Sequence, residues 1–411
     1  MRFYFPDSQD LVSPTYDFLR DEYPAHRVRQ RDDRYAHEVL NAAPYHGILV
    51  SKSIVDGSIK GAGKYSTAQR ARLHRMGVHR FFRLPPGVEA MGDNGAFNYI
   101  DEPVPPVTAA QTLDFYEEGG FDAGVSTDHV IFGYEPDADE HSVNPEWAER
   151  RILTLRLAEE FIDLAGEQRA RIEPVGAAQG WSPQSYAASV RALQDMGYTR
   201  IALGGMVPLK TNQILACLNG IYEILKPETE LHLLGITRIE SMDEFAALGV
   251  TSFDSTSAFR QAFMDDRKNY HTRDRAFVAI RVPQVDGNPT LKRAILAGNV
   301  RQADALAAER RALSALRAYD GSPAARADCL DALEAYETVC QTKKRYIAAY
   351  EETLEAAPWT RCSCHLCSRH GIEIAIFRGT ERNKRRGFHN LSVLADRMST
   401  LKSKPPRRTD G

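Results

Sequence analysis

Short apolar stretches alternate with longer amphipathic ones through the first two thirds of the chain. The apolar stretches occupy 46–55, 123–132, 171–180, 200–206, 231–237 and 250–256. Between them apolar residues recur at helical spacing, as over 146–169 and 183–196, and the second of these begins with Ser182 and Pro183, a typical helix start. Strands alternating with helices predict a parallel sheet.

The number of strand–helix units favours a (β/α)₈ TIM barrel, an α/β fold, over an open doubly wound sheet. A glycine-rich dinucleotide motif after an early strand, which would support the open sheet, is absent. A barrel places its chemistry at the carboxyl ends of its strands. The polar or glycine residues expected there are Asp93, Asp128, Gln179, Gly204, Gly205 and Asp254. Each of them alone would equally suit a turn or a helix cap.

The pattern changes after Pro289, where Ala, Leu, Glu, Arg and Lys dominate. Helical spacing over 291–357 predicts two or more antiparallel helices, interrupted near 320–323. Aromatic residues of the first forty positions either pack on the barrel or form an interface. Residues 395–411 are expected to be a frayed basic tail.

Composition excludes several classes of protein. With 411 residues, 43% of them apolar, the chain can bury a sizeable core, so it is neither disordered nor a disulfide-stapled miniprotein. It has no apolar run long enough to cross a bilayer, and it begins without the apolar stretch of a signal peptide. We therefore expect a soluble, cytoplasmic protein with no membrane partner.

Charge is distributed unevenly along the chain. The net charge is −3, yet residues 361–411 hold twelve Lys or Arg against four Asp or Glu. A second basic stretch, 60–83, has seven Lys or Arg and no acid. Such patches suit a nucleic-acid backbone, although a solvated surface explains them as well.

Three of the six cysteines fall within six residues, at Cys362, Cys364 and Cys367. Three thiolates at this spacing predict a metal site, and a fourth ligand must come from further along. Spacing alone leaves three candidates for it: His365, His370 and His389. Zn²⁺ suits three Cys and one His in a closed tetrahedral site, which is a structural arrangement. The remaining cysteines are expected in the core: Cys217, Cys329 and Cys340.

These motifs together resemble the guanine transglycosylases. The resemblance consists of the cysteine cluster followed by His-Asn-Leu at 389–391, Asp-x-Gly-x-Phe at 93–97 and Gly-x-x-x-Phe-Asp at 249–254. It spans roughly residues 45–280 and 358–395. Members of this family are (β/α)₈ enzymes with a zinc subdomain, and they exchange a guanine in nucleic acid for a 7-deazaguanine base. The resemblance implies a barrel over 1–286, a helical insertion over 287–357, a zinc-binding subdomain over 358–395 and a basic tail over 396–411.

The resemblance also implies roles for individual residues. Asp254 matches the nucleophile, Asp93 the second catalytic aspartate and Phe97 the aromatic residue that stacks on the base. The residues matching the base-binding positions are Asp128, which reads the guanine edge, Gln179, Gly204 and Gly205. His389 matches the fourth ligand of a structural Zn²⁺.

The chemistry of base exchange requires side chains of these types. The C1′–N9 bond must break and re-form through an oxocarbenium-like transition state, which a carboxylate such as Asp254 can trap. A second carboxyl, Asp93, would move the proton between the bases. A guanine edge offers two adjacent donors, N1–H and the exocyclic amine, and the carboxylate of Asp128 can accept both.

Departures from the family pattern concern the substrate. Residues 94–98 read Asn-Gly-Ala-Phe-Asn where the family usually has Ser-Gly-Gly-aromatic-Gln. Residues 257–259 read Ser-Ala-Phe where Pro-Thr-Arg usually follows the nucleophile, and His129 replaces the acidic residue that usually follows Asp128. We expect these changes at base contacts and at the nucleic-acid rim. The chain also has the helical insertion and lacks an appended RNA-binding module. In these traits together it is similar to the DNA-directed branch of the family.

That branch implies a DNA substrate, an incoming base of the 7-cyano-7-deazaguanine type, and helper proteins of ATPase or helicase character. Flipping a paired guanine out of a duplex costs a few kcal/mol, which makes such helpers physically sensible. Two alternatives stay open. One is a transglycosylase acting on tRNA, and the other is a non-catalytic, zinc-containing protein that only binds nucleic acid.

Overall fold

Eight parallel strands close into a barrel in which each strand pairs with the next and the last pairs with the first. The structure is a computed structural model describing residues 1–7, 9–57, 63–322, 326–340 and 345–400. The strands are Arg2–Pro6 (β1), Gly47–Ser51 (β2), Glu89–Asp93 (β3), Ala123–Val125 (β4), Glu173–Ala178 (β5), Arg200–Leu203 (β6), Glu230–Leu233 (β7) and Val250–Asp254 (β8). The predicted (β/α)₈ fold is confirmed.

Helices connect the barrel strands and make up most of the remaining structure. They are Ala36–Val39 (α1), Lys52–Asp56 (α2), Thr67–Met76 (α3), Val78–Phe82 (α4), Ala109–Gly119 (α5), Pro145–Glu167 (α6), Pro183–Asp195 (α7), Thr211–Tyr222 (α8), Met242–Ala247 (α9), Ser257–Met264 (α10), Pro289–Leu296 (α11), Gln302–Gly321 (α12), Arg326–Val339 (α13), Ile347–Ala356 (α14), His365–His370 (α15) and Gly379–Ser399 (α16). Short strands form two pairs outside the barrel: Tyr270–His271 (β9) with Ala276–Phe277 (β10), and Ile280–Arg281 (β11) with Ile376–Phe377 (β12).

The two helices expected from apolar spacing are present. Residues 146–169 correspond to α6, and 183–196 to α7, where the Ser182 side chain accepts a hydrogen bond from the backbone N–H of Ser185. This cap satisfies one of the unpaired donors of the first turn, as the Ser-Pro start indicates.

Strand β1 was not expected from the sequence. It lies between β2 and β8, and Tyr4 is in register with both Gly47 and Asp254. The Tyr4 side chain packs in the barrel interior with Leu49, Met91 and other buried residues of the neighbouring strands. The aromatic residues at the start of the chain are therefore needed to close the barrel.

A polar cluster lies within the barrel near the first residues of several strands. Arg200 is 1% exposed, and its guanidinium donates to the Tyr4 hydroxyl at 2.7 Å and to the Glu173 carboxylate at 3.0 Å. Tyr4 also hydrogen-bonds to Glu89, which pairs with Arg2. A buried guanidinium is tolerated only when it is paired in this way.

The described chain divides into two compact units. One contains the barrel, with Tyr45–Thr256 and β1, and the other consists of Gln9–Pro44 and Ser257–Arg397. The predicted helices after residue 289 appear in the second unit as α11 to α14. The domain boundaries implied by the resemblance stay a prediction.

The second unit buries several arginines of the basic stretch 361–411, for which the sequence allowed a nucleic-acid backbone or a solvated surface. Four side chains on or just before α16 are at most 5% exposed: Arg378, Arg382, Arg385 and Arg386. Arg378 pairs with Asp21 and Glu309, and Arg382 with Asp21 and Glu373. Much of the positive charge after residue 361 therefore stabilises the fold, which corrects the expectation of a phosphate-binding role for this whole stretch.

The structure also bears on the expected tail, the three other cysteines and the expected lack of a membrane span. Helix α16 continues to Ser399, so residues 395–399 are helical rather than frayed, and the rest of the expected tail lies outside the described residues. The three cysteines assigned to the core are buried: Cys217, Cys329 and Cys340. In the described part of the chain, no helix combines the length and apolarity needed to cross a membrane.

Replacing Arg200 with Met is expected to lower the free energy of unfolding by about 3 kcal/mol, the low end for removing one partner of a buried ion pair, since Glu173 is partly exposed. Chemical denaturation measures this change. Arg171→Ala, in which an exposed arginine loses its contact with Glu117, is the control and should change stability by less than about 0.5 kcal/mol. Equal losses in the two variants would contradict a structural role for the buried cluster.

Candidate active site and metal centre

The carboxyl ends of the barrel strands gather the predicted site residues on one face. Asp93 and Asp254 are the last residues of β3 and β8. The predicted base-binding residues follow the other strands: Asp128 after β4, Gln179 after β5, and Gly204 and Gly205 after β6. Because parallel strands end on the same face of a barrel, six separate sequence positions contribute to one site.

Asp93 is held by the neighbouring strand. Ser51, its register partner on β2, donates its hydroxyl to Oδ2 of Asp93 at 2.6 Å. Burial raises the pKa of Asp93, and the negative charge of Asp254 raises it further, while the Ser51 hydrogen bond opposes the shift. The proton of Asp93 is thus held more tightly than that of an ordinary carboxyl.

Asp254 is nearly buried, and both of its hydrogen bonds among the described residues go to one oxygen. The backbone N–H of Gly235 lies 2.9 Å from Oδ1, and Nε2 of His232 lies 3.2 Å from the same atom. His232 was not singled out from the sequence. Its signal was there, since it is a single ionisable residue within the apolar stretch Leu-His-Leu-Leu of β7.

Asp128 and Gln179 form a buried hydrogen-bonded pair. The Gln179 amide donates to Oδ2 of Asp128 at 2.6 Å, and its oxygen accepts from the backbone N–H of Ile131 at 3.2 Å. Burial raises the pKa of Asp128 to about 7, with a further contribution from the charge of Asp93. A carboxyl with this pKa changes its charge near neutral pH.

The two glycines after β6 leave room for the Asp128–Gln179 pair. A Cβ at Gly204 would lie 2.1 Å from the amide nitrogen of Gln179, and one at Gly205 would lie 2.3 Å from the Ile131 carbonyl oxygen. Gly205 also has φ of +73°, which favours glycine. Any side chain here would displace the pair.

Phe97 is half exposed in the loop after β3, with 52% of its surface accessible. Its ring contacts that of Phe132, itself 38% exposed in the loop after β4, with 5.2 Å between the ring centroids. Sequence reasoning missed Phe132, although it stands four residues after Asp128, as Phe97 does after Asp93. Together they form an exposed aromatic surface of the kind on which bases stack.

Some of the departures from the family pattern lie inside the protein and others lie at its surface. Asn94 is buried and donates to the Val125 carbonyl, and the buried His129 hydrogen-bonds to the Glu102 carbonyl. Phe259 is buried in the second unit against Phe388. Asn98 and Ser257 are exposed, so the expected contacts of the departures with the base and the nucleic acid stay a prediction.

Four side chains of the second unit converge in a geometry that fits a metal ion. Sγ atoms of Cys362, Cys364 and Cys367 lie 3.6, 3.5 and 3.4 Å from Nδ1 of His389. Tetrahedral Zn²⁺, with bonds of about 2.3 Å to sulfur and 2.0 Å to nitrogen, separates such atoms by roughly 3.5 Å. Of the three histidine candidates, His389 joins the cysteines.

Neighbouring groups orient these ligands. Nε2 of His389 lies 2.8 Å from the carbonyl oxygen of His271, so the ring donates there and turns the lone pair of Nδ1 toward the sulfurs. The Tyr270 hydroxyl lies 3.1 Å from Sγ of Cys367, and its ring stacks on that of His389. The donor set therefore has the outer contacts typical of a structural metal site.

Comparison with known proteins supports the family. The chain is 48% identical over 404 residues to a DNA-guanine transglycosylase of Salmonella montevideo, an alignment that covers 97% of this chain and 96% of that relative. The chain belongs to the guanine transglycosylase family. No protein-family model matches it. Membership makes the strand-end carboxylates candidates for transglycosylase chemistry.

The metal centre predicts one bound metal ion per chain. Cys364→Ser removes a ligand, so the purified variant should lose nearly all of its metal and unfold at a lower temperature. Elemental analysis and thermal unfolding measure the two effects. Cys329→Ser, a buried cysteine outside the cluster, is the matched control and should keep its metal. Full metal content in the Cys364 variant would contradict the assignment of ligands.

The raised pKa of Asp128 predicts a dependence of stability on pH. Between the unfolded value near 3.8 and the folded value of about 7, the folded state binds the extra proton, so wild-type stability falls as pH rises. The asparagine of Asp128→Asn cannot ionise, so the stability of the variant should not fall in this way as the pH rises. The melting temperature of the variant relative to wild type should therefore rise from pH 5 to pH 8. A constant difference would show that Asp128 titrates normally.

Proposed function

We propose that this protein exchanges a guanine in DNA for a 7-deazaguanine base of the 7-cyano-7-deazaguanine type. The observation that carries the proposal is the gathering of three aspartates, Asp93, Asp128 and Asp254, at the carboxyl ends of the barrel strands. The similar protein that is named a DNA-guanine transglycosylase supports DNA as the polymer.

In the first half of the reaction, Asp254 acts as the nucleophile. Its Oδ2 forms a bond to C1′ of the deoxyribose while the C1′–N9 bond breaks and leaves its electron pair on the guanine. Asp93 gives its proton to the departing base. The raised pKa of Asp93 suits this role, because a higher pKa favours the protonated form that a proton donor needs.

The second half reverses these steps with the new base. N9 of the 7-deazaguanine attacks C1′, its proton passes to Asp93, and the bond from C1′ to Oδ2 breaks to restore the Asp254 carboxylate. Two displacements at C1′ retain the configuration of the sugar, so the polymer keeps its backbone and its anomeric form.

Recognition of the base falls to the neighbouring residues. Ionised Asp128 accepts the two donors of the guanine edge, and Gln179 holds the carboxylate in place through its 2.6 Å hydrogen bond. Gly204 and Gly205 contribute close backbone at the base. Phe97 stacks on the base once it has left the helix, which recovers about 1–3 kcal/mol of the lost stacking.

The metal has no place in these steps. Zn²⁺ bound to Cys362, Cys364, Cys367 and His389 would cross-link the loop before α15 to α16, and four protein ligands leave no position for water. Helper proteins of ATPase or helicase character would open the duplex, since extruding a paired guanine costs a few kcal/mol.

The decisive experiment offers labelled 7-cyano-7-deazaguanine with single-stranded DNA, duplex DNA and tRNA, with and without cell extract. We expect label in DNA, fastest in the single strand for the protein alone, and a denaturation-resistant protein–DNA adduct that Asp254→Asn abolishes. Asp114→Asn, an exposed aspartate on α5, is the matched control and should behave as wild type.

Each other outcome has a defined meaning. Label in tRNA alone would overturn the choice of DNA in favour of a tRNA enzyme. Binding of either polymer without label or adduct would overturn the exchange reaction and leave a nucleic-acid-binding protein.

A further inference from the structure

His232 is a buried ionisable group that hydrogen-bonds to the proposed nucleophile. It is fully buried on β7, and its ring lies between two residues of β8. Nδ1 is 2.9 Å from the Ser252 hydroxyl, and Nε2 is 3.2 Å from Oδ1 of Asp254. Residues 252 and 254 share one side of the strand, so the imidazole spans both along the barrel interior.

The chemistry of the three groups determines the direction of the hydrogen bonds. An ionised carboxylate only accepts, so Nε2 must carry the proton that is shared with Asp254. In the neutral ring Nδ1 is then an acceptor, and the Ser252 hydroxyl donates to it. Burial lowers the pKa of His232, and the nearby charges of Arg200 and Arg2 lower it further while Asp254 opposes them, so the neutral ring is favoured.

Packing leaves the ring little freedom. Tyr4 of β1 meets it edge to face, with 5.6 Å between the ring centroids, and Tyr4 is itself held by Arg200. The second donor to Oδ1 of Asp254, the backbone N–H of Gly235, comes from the residue two positions after β7 ends. Both donors are therefore supplied by the same strand and the turn that follows it.

We propose that His232 is a positioning residue for the glycosyl transfer, which holds Oδ1 of Asp254 together with the Gly235 amide and leaves Oδ2 to attack C1′. This inference rests on the proposed function, because it assigns a task within the same reaction. It also gives a reason for a hydroxyl residue, Ser252, within a buried strand: its hydroxyl donates to Nδ1 and satisfies the acceptor of the tautomer that donates to the nucleophile.

The same hydrogen bonds act on the second half of the reaction. In the covalent intermediate Oδ1 is an ester carbonyl oxygen, and it regains full negative character as the bond from Oδ2 to C1′ breaks. A donor to Oδ1 binds the emerging carboxylate more strongly than the ester, so it accelerates release of the sugar to the incoming base. Loss of His232 should slow both halves, with binding of the polymer unchanged.

Two amide substitutions test the proposal because they differ only in reach. The amide of Gln extends about as far from Cβ as Nε2 of histidine and can still donate to Asp254. The amide of Asn extends only as far as Nδ1 and can contact Ser252 alone. We expect His232→Asn to lower kcat about 100-fold, the scale for one donor lost from a reacting carboxylate oxygen, with KM for DNA unchanged. His232→Gln should recover most of the rate.

Two rates are measured: the rate of base exchange and the rate at which the covalent adduct decays after addition of 7-deazaguanine. Each rate is divided by the fraction of folded protein, which is measured by thermal unfolding. Gln194→Met is the matched control, since it removes a buried amide with internal hydrogen bonds away from the site. It should change stability without changing kcat. If His232→Asn fails to fold, the test uses His232→Gln and Ser252→Ala. Ser252→Ala should lose several-fold in kcat, because Nδ1 then loses its donor and the ring is held less firmly.

The outcomes separate this inference from the proposed function. Active wild type with equal kcat in the Asn and Gln variants would overturn the positioning role and leave the enzyme assignment intact. A rise in KM with unchanged kcat would overturn it as well. A wild type that forms no adduct and moves no label on any polymer would overturn the proposed function itself.

Discussion

The site depends on keeping three carboxyl groups close together in a partly dry barrel mouth without a cation to neutralise them. Among the described residues, no lysine or arginine pairs with Asp93, Asp128 or Asp254, and each carboxyl is held by neutral donors. Burial and the repulsion between neighbouring carboxylates raise the pKa values of Asp93 and Asp128. A guanidinium in the same place would fix all three as inert anions.

Asp93 and Asp254 are the same type of residue, but their surroundings differ. Asp254 accepts hydrogen bonds from a backbone amide and an imidazole, whereas burial raises the pKa of Asp93. Two identical side chains thereby become suited to opposite roles, one to attack and one to donate a proton. The glycines after β6 leave room for Gln179, which hydrogen-bonds to Asp128.

The barrel and its strand-end carboxylates could be predicted because periodicity and local motifs report them. Strand β1 could not, because five residues at the chain start have no preceding helix to define a unit, and only their long-range pairing with β2 and β8 identifies them. An isolated histidine in an apolar stretch marked His232 as unusual, but the role proposed for it depends on its register with Ser252 of β8, which only the folded structure shows. The burial of the arginines on and just before α16 could not be predicted from composition, because their partners, such as Asp21, lie far away in the sequence.

The pairing of Asp21 with Arg378 also determines when the second unit can form during synthesis. The two residues are separated by 357 positions, which a ribosome adding 5–20 residues per second covers in roughly 20–70 s. Until α16 has left the ribosome, Asp21 lacks the counter-charges of Arg378 and Arg382. The barrel strands are thus synthesised before the segment that follows β1 can form these ion pairs, so the second unit is completed only after α16 has been made.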